Sequence, residues 1–256
     1  MFSTTTPARM QITDYYHFTD QEMRIILLGE YDCDMPAPMD LRIAIFKINR
    51  LRFAAATATK PTPAAAAAAL APLVHRLLDD INAADVDDWC INNAVYGLEH
   101  SLSLARIFRL AVRLFALLTL PRSATTRWAR AATAAAAPNN DDDDDDEKNE
   151  DPYRSVCAAQ RTELLARMRA LFPQLEYQPN LRWPMVVAGV ATATATADGG
   201  AAAAAADRAF VSESLRIIWE QPVVACGPMR CREMLQRFWA SGKTEWEECF
   251  VEPVPC

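Results

Sequence analysis

Apolar residues recur every three or four positions through most of this chain, and this periodicity restricts its fold more than any other feature. The spacing is clearest at Leu41, Ile45, Ile48 and Leu51, and again at Leu70, Leu73, Leu77 and Ile81. Such spacing places the apolar side chains on one face of a helix. Only 7 of the 256 residues are glycine, and the alternating β-branched runs typical of strands are nearly absent. The sequence therefore predicts an irregular all-α domain of about eight to ten helices.

Capping residues predict where several of these helices begin. Thr19 and Glu22 have the spacing of a capping box, in which each residue bonds the backbone of the other. Asp151-Pro152 predicts another start, because proline is tolerated in the first turn of a helix. Further starts are predicted at Asn180, Asp207, Pro228 and Thr244, the last with Glu247 as a second capping box.

Three low-complexity tracts, at 54–71, 131–151 and 191–206, interrupt the ordinary sequence. Leu70 is their only large apolar side chain, so we expect loop insertions, with the first partly helical. The middle tract holds nine acids and one base, and the chain has a net charge of −7, so the remainder carries only +1. We expect this tract to be a disordered linker between residues 1–130 and 152–256, the two helical parts of one domain.

The most apolar segment, 102–120, carries three arginines and is not predicted to cross a membrane. Arg106, Arg109 and Arg113 fall on one face of a helix because they are three or four residues apart. Each arginine at the centre of a bilayer costs roughly 2.5–3.5 kcal/mol on insertion scales. We expect an amphipathic helix that ends before Pro121, with this arginine stripe largely packed against the protein.

The cysteines and histidines form no recognisable catalytic or metal-binding motif. Seven cysteines are present, and none belongs to a C-x-x-C pair, so we expect free thiols. None of the three histidines lies in a nucleophile motif, and the sequence has no glycine-rich phosphate loop. The sequence therefore predicts no catalytic residue, no metal site and no cofactor.

The segment LLDDINAADVDDWC, residues 77–90, is the one feature typical of an enzyme. In terpene cyclases, D-D-x-x-D places carboxylates on one helical face to hold magnesium. Here Asp79 and Asp80 are followed by Asn82 and Ala83, so the third carboxylate is missing. We favour helix-end and solvent-exposed roles for these acids. A metal-dependent enzyme of terpene-cyclase type with a degraded motif remains an alternative, as does a non-catalytic helical scaffold.

Two motifs in the second half follow a known pattern. Leu181, Trp183, Pro184, Met185, Ala188 and Gly189 match an apolar W-P-[LM]-x-x-A-G segment, and Asp207, Arg208, Phe210 and Val211 match a D-R-x-[FW]-[VI] helix start. Phe238, Trp239 and Trp246 then match a closing helix pair. The pattern resembles the fungal-specific transcription factor domain, the helical regulatory region that follows binuclear zinc clusters in fungal regulators.

The resemblance implies transcriptional regulation in the nucleus, with other regulators or a second copy as partners. It implies no DNA-contacting residue here, because the family's two C-x-x-C-x6-C halves do not occur in this sequence. We therefore expect no sequence-specific DNA binding by this chain. We expect the motif residues to serve packing, with Trp183 mostly buried and Pro184 in the first turn of a helix.

Overall fold

The predicted all-α fold is confirmed. The computed structural model describes residues 4–10, 18–29, 36–58, 63–93, 97–136, 151–174, 178–194, 200–221 and 227–253. These residues form eleven α-helices and two short 3-10 helices, without a strand among them. The α-helices are Asp20–Gly29 (α1), Met39–Thr57 (α2), Pro63–Ala83 (α3), Val86–Asn93 (α4), Leu98–Thr119 (α5), Arg122–Ala136 (α6), Pro152–Leu171 (α7), Arg182–Ala191 (α8), Ala201–Trp219 (α9), Gly227–Ser241 (α10) and Trp246–Cys249 (α11).

Helix α5 is the central element of the core. It contacts α2, α3, α4, α7, α8 and α11, and its apolar residues are buried around most of its circumference. A helix that is apolar on most faces lies inside a protein or a membrane. None of the helices in the described ranges is long and apolar enough to cross a membrane. The stripe of Arg106, Arg109 and Arg113 occupies the remaining face and is half-buried, less packed than predicted.

Two of the predicted helix starts are confirmed in detail. The Thr19 backbone N–H donates to Glu22 Oε2 at 2.7 Å, and the Glu22 N–H donates to Thr19 Oγ1 at 3.3 Å. At the start of α7, Asp151 Oδ1 accepts the N–H of Tyr153 at 3.1 Å, and Pro152 occupies the first turn. Both caps satisfy N–H groups that have no partner within the helix.

The alanine-rich tracts contain helix. Residues 54–57 complete α2 and 63–71 begin α3, in line with the partly helical tract that was predicted, whereas 201–206 begin α9, so the loop interpretation is wrong for 201–206. Alanine is the strongest helix former, and its small side chain allows close packing. Ala71 and Ala204 are buried accordingly. These two tracts therefore contribute to the core.

The structure describes the acidic tract, residues 131–151, only at its two ends. Residues 131–136 complete α6, and Asp151 caps α7. Residues 137–150, which hold the aspartate run, lie outside the described residues, as do 59–62 and 195–199. The division into two helical parts joined by an acidic linker remains a prediction.

Two other predicted starts are displaced. Helix α9 begins at Ala201 because the alanines preceding Asp207 are already helical, so Asp207 caps nothing. The last capping box uses Glu245 and Glu248 instead of Thr244 and Glu247, with the Glu245 N–H donating to Glu248 Oε2 at 3.2 Å. Because the cap uses Glu248, the Glu247 side chain contacts the buried Arg52 instead.

Candidate functional site

The two sequence motifs pack against each other where α8, α9 and α10 meet. Gly189 in α8 faces Val211 in α9 and Leu235 in α10. A Cβ atom at position 189 would lie 2.8 Å from Leu235 Cδ1 and 3.2 Å from Val211 Cγ1. Both neighbours are fully buried, so glycine allows an approach of three helices that a larger residue would prevent.

Polar motif groups bond the backbone near the end of α8. Trp239 Nε1 donates to the carbonyl oxygen of Gly189 at 2.9 Å, and Arg208 Nη2 donates to that of Thr192 at 3.2 Å. The Arg208 guanidinium lies 5.8 Å from the Trp239 ring centroid. These donors satisfy carbonyls where the helical hydrogen-bond ladder ends.

We expect Gly189→Ala to destabilise the chain by about 1 kcal/mol, because overpacking of a core outweighs the better helix propensity of alanine. In a Leu235→Ala background, which removes the closest methyl groups, the same change is expected to be neutral or stabilising. Urea unfolding of the four proteins in this double-mutant cycle measures the coupling. Equal effects of Gly189→Ala in both backgrounds would contradict the close contact.

The W-P part of the first motif contacts the central helix. The Trp183 ring stacks on Phe108 with centroids 6.2 Å apart and meets Phe115 edge-on at 5.8 Å. Its Nε1 donates to Thr4 Oγ1 at 2.7 Å. Trp183 is partly buried and packs against the core, and Pro184 is buried in the first turn of α8, as predicted. Leu181, Met185 and Ala188 are fully buried.

The D-R-x-F motif joins α9 to α7. Asp207 accepts a hydrogen bond from Arg169 Nη2 at 2.7 Å. Phe210 meets Phe172 edge-on at 5.9 Å, and the Arg169 guanidinium lies 4.8 Å from the Phe210 ring centroid. The remaining motif residues, Phe238 and Trp246, are also buried. The motif residues thus contact protein groups throughout this region.

Sequence reasoning missed Arg52, which ties both ends of the described chain to α2. Its side chain is only 1% exposed, and its Nη2 lies 2.6 Å from Glu247 Oε1. The guanidinium also donates to Asn49 Oδ1 at 2.8 Å and to the carbonyl oxygens of Thr4 and Thr6 at 3.2 and 3.3 Å. Arginine forms such multiple bonds because its donors are arranged as a planar fork. No local pattern distinguishes Arg52 from the other arginines of α2.

A cleft of about 270 Å³ opens beside the arginine stripe, between α3, α5 and α7. Seven of its eight lining residues are polar: Asn82, Arg106, Arg109, Arg113, Gln160, Glu163 and Arg167. Two of the four arginines have acidic partners, since Arg106 pairs with Asp87 at 3.0 Å and Arg167 pairs with Glu163 at 2.8 Å.

Arg109 and Arg113 form no ion pair with any described residue. Arg109 makes a long contact of 3.4 Å to the carbonyl oxygen of Ala84, and the Arg113 guanidinium lies 5.0 Å from the Trp128 ring centroid. Burial, followed by the charge of Arg109, lowers the pKa of Arg113, and Glu163 opposes this effect. Arg113 Nε and Gln160 Oε1 are buried without a hydrogen-bond partner.

The acids of the terpene-cyclase-like segment bind separate protein groups. Asp79 Oδ1 accepts Trp128 Nε1–H at 2.9 Å, and Asp85 Oδ1 accepts the N–H of Asp87 at 3.1 Å, at the start of α4. Asp87 in turn pairs with Arg106. Across the described ranges, no group of three His, Cys, Asp or Glu side chains is placed to hold a metal ion.

The four described cysteines are buried free thiols, whereas Cys33, Cys226 and Cys256 lie outside the described residues. Burial raises the pKa of Cys157 to about 11 and that of Cys249 to about 12. The thiolate is the reactive form of cysteine, so these two side chains are poor nucleophiles near neutral pH.

We expect a thiol reagent at pH 8 to label Cys157 and Cys249 at least about tenfold more slowly in the native chain than in urea. Unfolded thiols ionise near pH 9.0 and the folded ones at higher pH. The stability linked to their burial is therefore fully present below pH 9.0 and declines as the pH rises toward the folded values. Peptide mass spectrometry measures each site, and equal native and unfolded rates would contradict their burial.

The structure is a multi-helix all-α domain in which the tryptophan-containing motifs pack in or against the core. A curated protein, the phomenoic acid biosynthesis cluster-specific transcriptional regulator of Leptosphaeria maculans, is 26% identical to this chain over 126 residues. The match covers 49% of the chain and 22% of that regulator, so the chain matches about a fifth of its relative's length. No protein-family model and no solved structure matches the chain.

Proposed function

We propose that this chain is the helical regulatory domain of a fungal transcription regulator, of the fungal-specific transcription factor domain type, acting in the nucleus. The contact of the two motifs carries this proposal. They follow one another in the family's order, and they pack together through Gly189 and Val211. Trp239 of the closing helix pair donates a hydrogen bond to the Gly189 carbonyl oxygen. The similarity to the Leptosphaeria maculans regulator supports the same class.

In this proposal the chain acts through other transcriptional regulators or through a second copy of itself. The 256 residues contain no C-x-x-C pair from which a binuclear zinc cluster could be built. DNA contact is therefore supplied from outside this sequence, and the helical domain transmits a signal or joins regulators together.

We expect this chain alone to bind no specific DNA sequence at near-physiological salt. Sequence-independent affinity requires many clustered cations along a phosphate track, and direct readout requires side chains presented to base edges. The measurement is a selection in which the purified chain captures duplexes from a randomised DNA library. Enrichment of a defined sequence with sub-micromolar affinity would overturn this expectation.

Deletion of the gene in its source organism tests the regulatory role. We expect a defined set of transcripts to change, and the tagged chain to enter the nucleus and cross-link to chromatin near those genes. Re-expression of the wild-type chain should restore the transcripts. An unchanged transcript profile would contradict the proposal, as would magnesium-dependent turnover of a prenyl diphosphate by the purified chain.

A further inference from the structure

The arginine-lined cleft holds more positive charge than the described protein neutralises. Asp87 and Glu163 offset Arg106 and Arg167, which leaves Arg109 and Arg113 without an acidic partner among the described residues. These two arginines are four residues apart on α5, so their side chains leave the helix on the same face, about 5–6 Å apart at Cβ. Two like charges at this spacing repel each other unless an anion or water screens them.

We propose that this cleft binds a small organic anion, a carboxylate or a phosphate, between Arg109 and Arg113. Both anions accept paired hydrogen bonds from guanidinium groups, and such charge-assisted bonds are among the strongest in proteins. An anion there neutralises the repulsion between the two arginines.

The size and charge of the cleft favour a small ligand over a nucleic acid. Its volume of about 270 Å³ suits a molecule of modest size. Glu163 lines the cleft and Asp87 lies at its edge, bound to Arg106, so negative groups flank the two unpaired arginines. A phosphate backbone passing along α5 would approach both carboxylates, whereas a compact anion between Arg109 and Arg113 would approach fewer negative groups.

Other groups in the cleft can set the orientation of the ligand. Asn82 and Gln160 carry amide groups, and Gln160 Oε1 is a buried acceptor without a partner. A ligand that also carries a hydroxyl or amine can hydrogen-bond the amide side chains that line the cleft, whereas a simple inorganic anion lacks such a group. The site therefore favours a hydroxy acid, an amino acid or a sugar phosphate.

An NMR titration of the purified full-length chain tests the site, with arginine Nε–Hε signals as the readout. Inorganic phosphate and malonate are added separately, with sodium chloride keeping the ionic strength constant. We expect saturable shifts of the Arg109 and Arg113 signals with at least one probe. Saturation by phosphate alone identifies a phosphate site, saturation by malonate alone a carboxylate site, and saturation by both a site for their shared chemistry.

Two variants test whether Arg109 carries the binding. Arg109→Gln removes one charge and is expected to weaken binding at least about tenfold, as expected for the loss of a charge-assisted hydrogen bond. Arg237→Gln removes a charge from a side chain that is 73% exposed and lies 4.0 Å from Glu233. The affinity of this variant for the anion should match that of the wild type. Arg109→Lys keeps the charge and should retain weaker binding if Arg109→Gln fails to fold.

Linear, unsaturated shifts with both probes would overturn the proposal, because they indicate screening alone. Binding that survives Arg109→Gln, or that Arg237→Gln weakens equally, would do the same. A role for this anion as an effector rests on the proposed regulatory function. Binding itself does not rest on that function. A failed titration would contradict the anion site, whereas an unchanged transcript profile would contradict the regulatory function.

Discussion

Phe115→Ala is expected to lower the free energy of unfolding by about 3–5 kcal/mol, the cost of deleting a fully buried aromatic side chain. The Phe115 ring is 0% exposed and meets Trp183 at 5.8 Å and Trp246 at 4.9 Å, both edge-on. The Arg52 guanidinium lies 5.4 Å from its centroid. The ring thus joins α5 to α2, α8 and α11, and its removal leaves a cavity that these helices cannot readily close.

Urea unfolding followed by circular dichroism measures this loss. Leu98→Ala provides a control on the same helix, because Leu98 is 48% exposed at the start of α5 and its truncation should cost less than about 1 kcal/mol. Equal midpoints for the two variants would show that Phe115 does not occupy the centre of the core.

Arg52→Met is expected to lower the free energy of unfolding by about 3 kcal/mol, chiefly because buried polar groups lose their partners. The variant leaves Asn49 Oδ1 and the carbonyl oxygens of Thr4 and Thr6 without this donor. Glu247 is 43% exposed, so its desolvation adds little to the cost. The first described residues and α11 should therefore become accessible to proteases before the central helices do.

Two matched variants separate the fork of Arg52 from its charge. Arg52→Lys keeps the charge but loses the planar fork, so an intermediate stability is expected. Arg237→Met removes an exposed charge and should remain within about 0.5 kcal/mol of the wild type. If Arg52→Met proved as harmless as Arg237→Met, Arg52 would not hold the two ends in place.

Local patterns were sufficient to predict most of the fold. Apolar spacing predicted α2 and α3, and the cap at Thr19 predicted the start of α1, because these signals depend on residues within one or two turns. The tract at 191–206 was predicted to be a loop because it has no large side chain, yet its residues 201–206 are helical. The burial of Ala71 and Ala204 shows that small residues fill positions where helices approach closely.

The contacts that build the candidate sites depend on residues far apart in the sequence. Arg52 and Glu247 are separated by 195 positions, and no local rule predicts their pairing. The arginine stripe was visible in the sequence, but the lack of acidic partners for Arg109 and Arg113 follows from the placement of α4 and α7 around α5.

A tethering assay tests the central claim, that this chain is a transcriptional regulatory domain, most directly. The full chain is fused to an unrelated DNA-binding domain in a fungal host, beside a reporter gene that this domain recognises. We expect transcription of the reporter to rise or fall relative to the DNA-binding domain alone, and Phe115→Ala to abolish the change by disrupting the fold. A fusion that is folded, nuclear and equally expressed, yet leaves reporter transcription unchanged, would contradict the account.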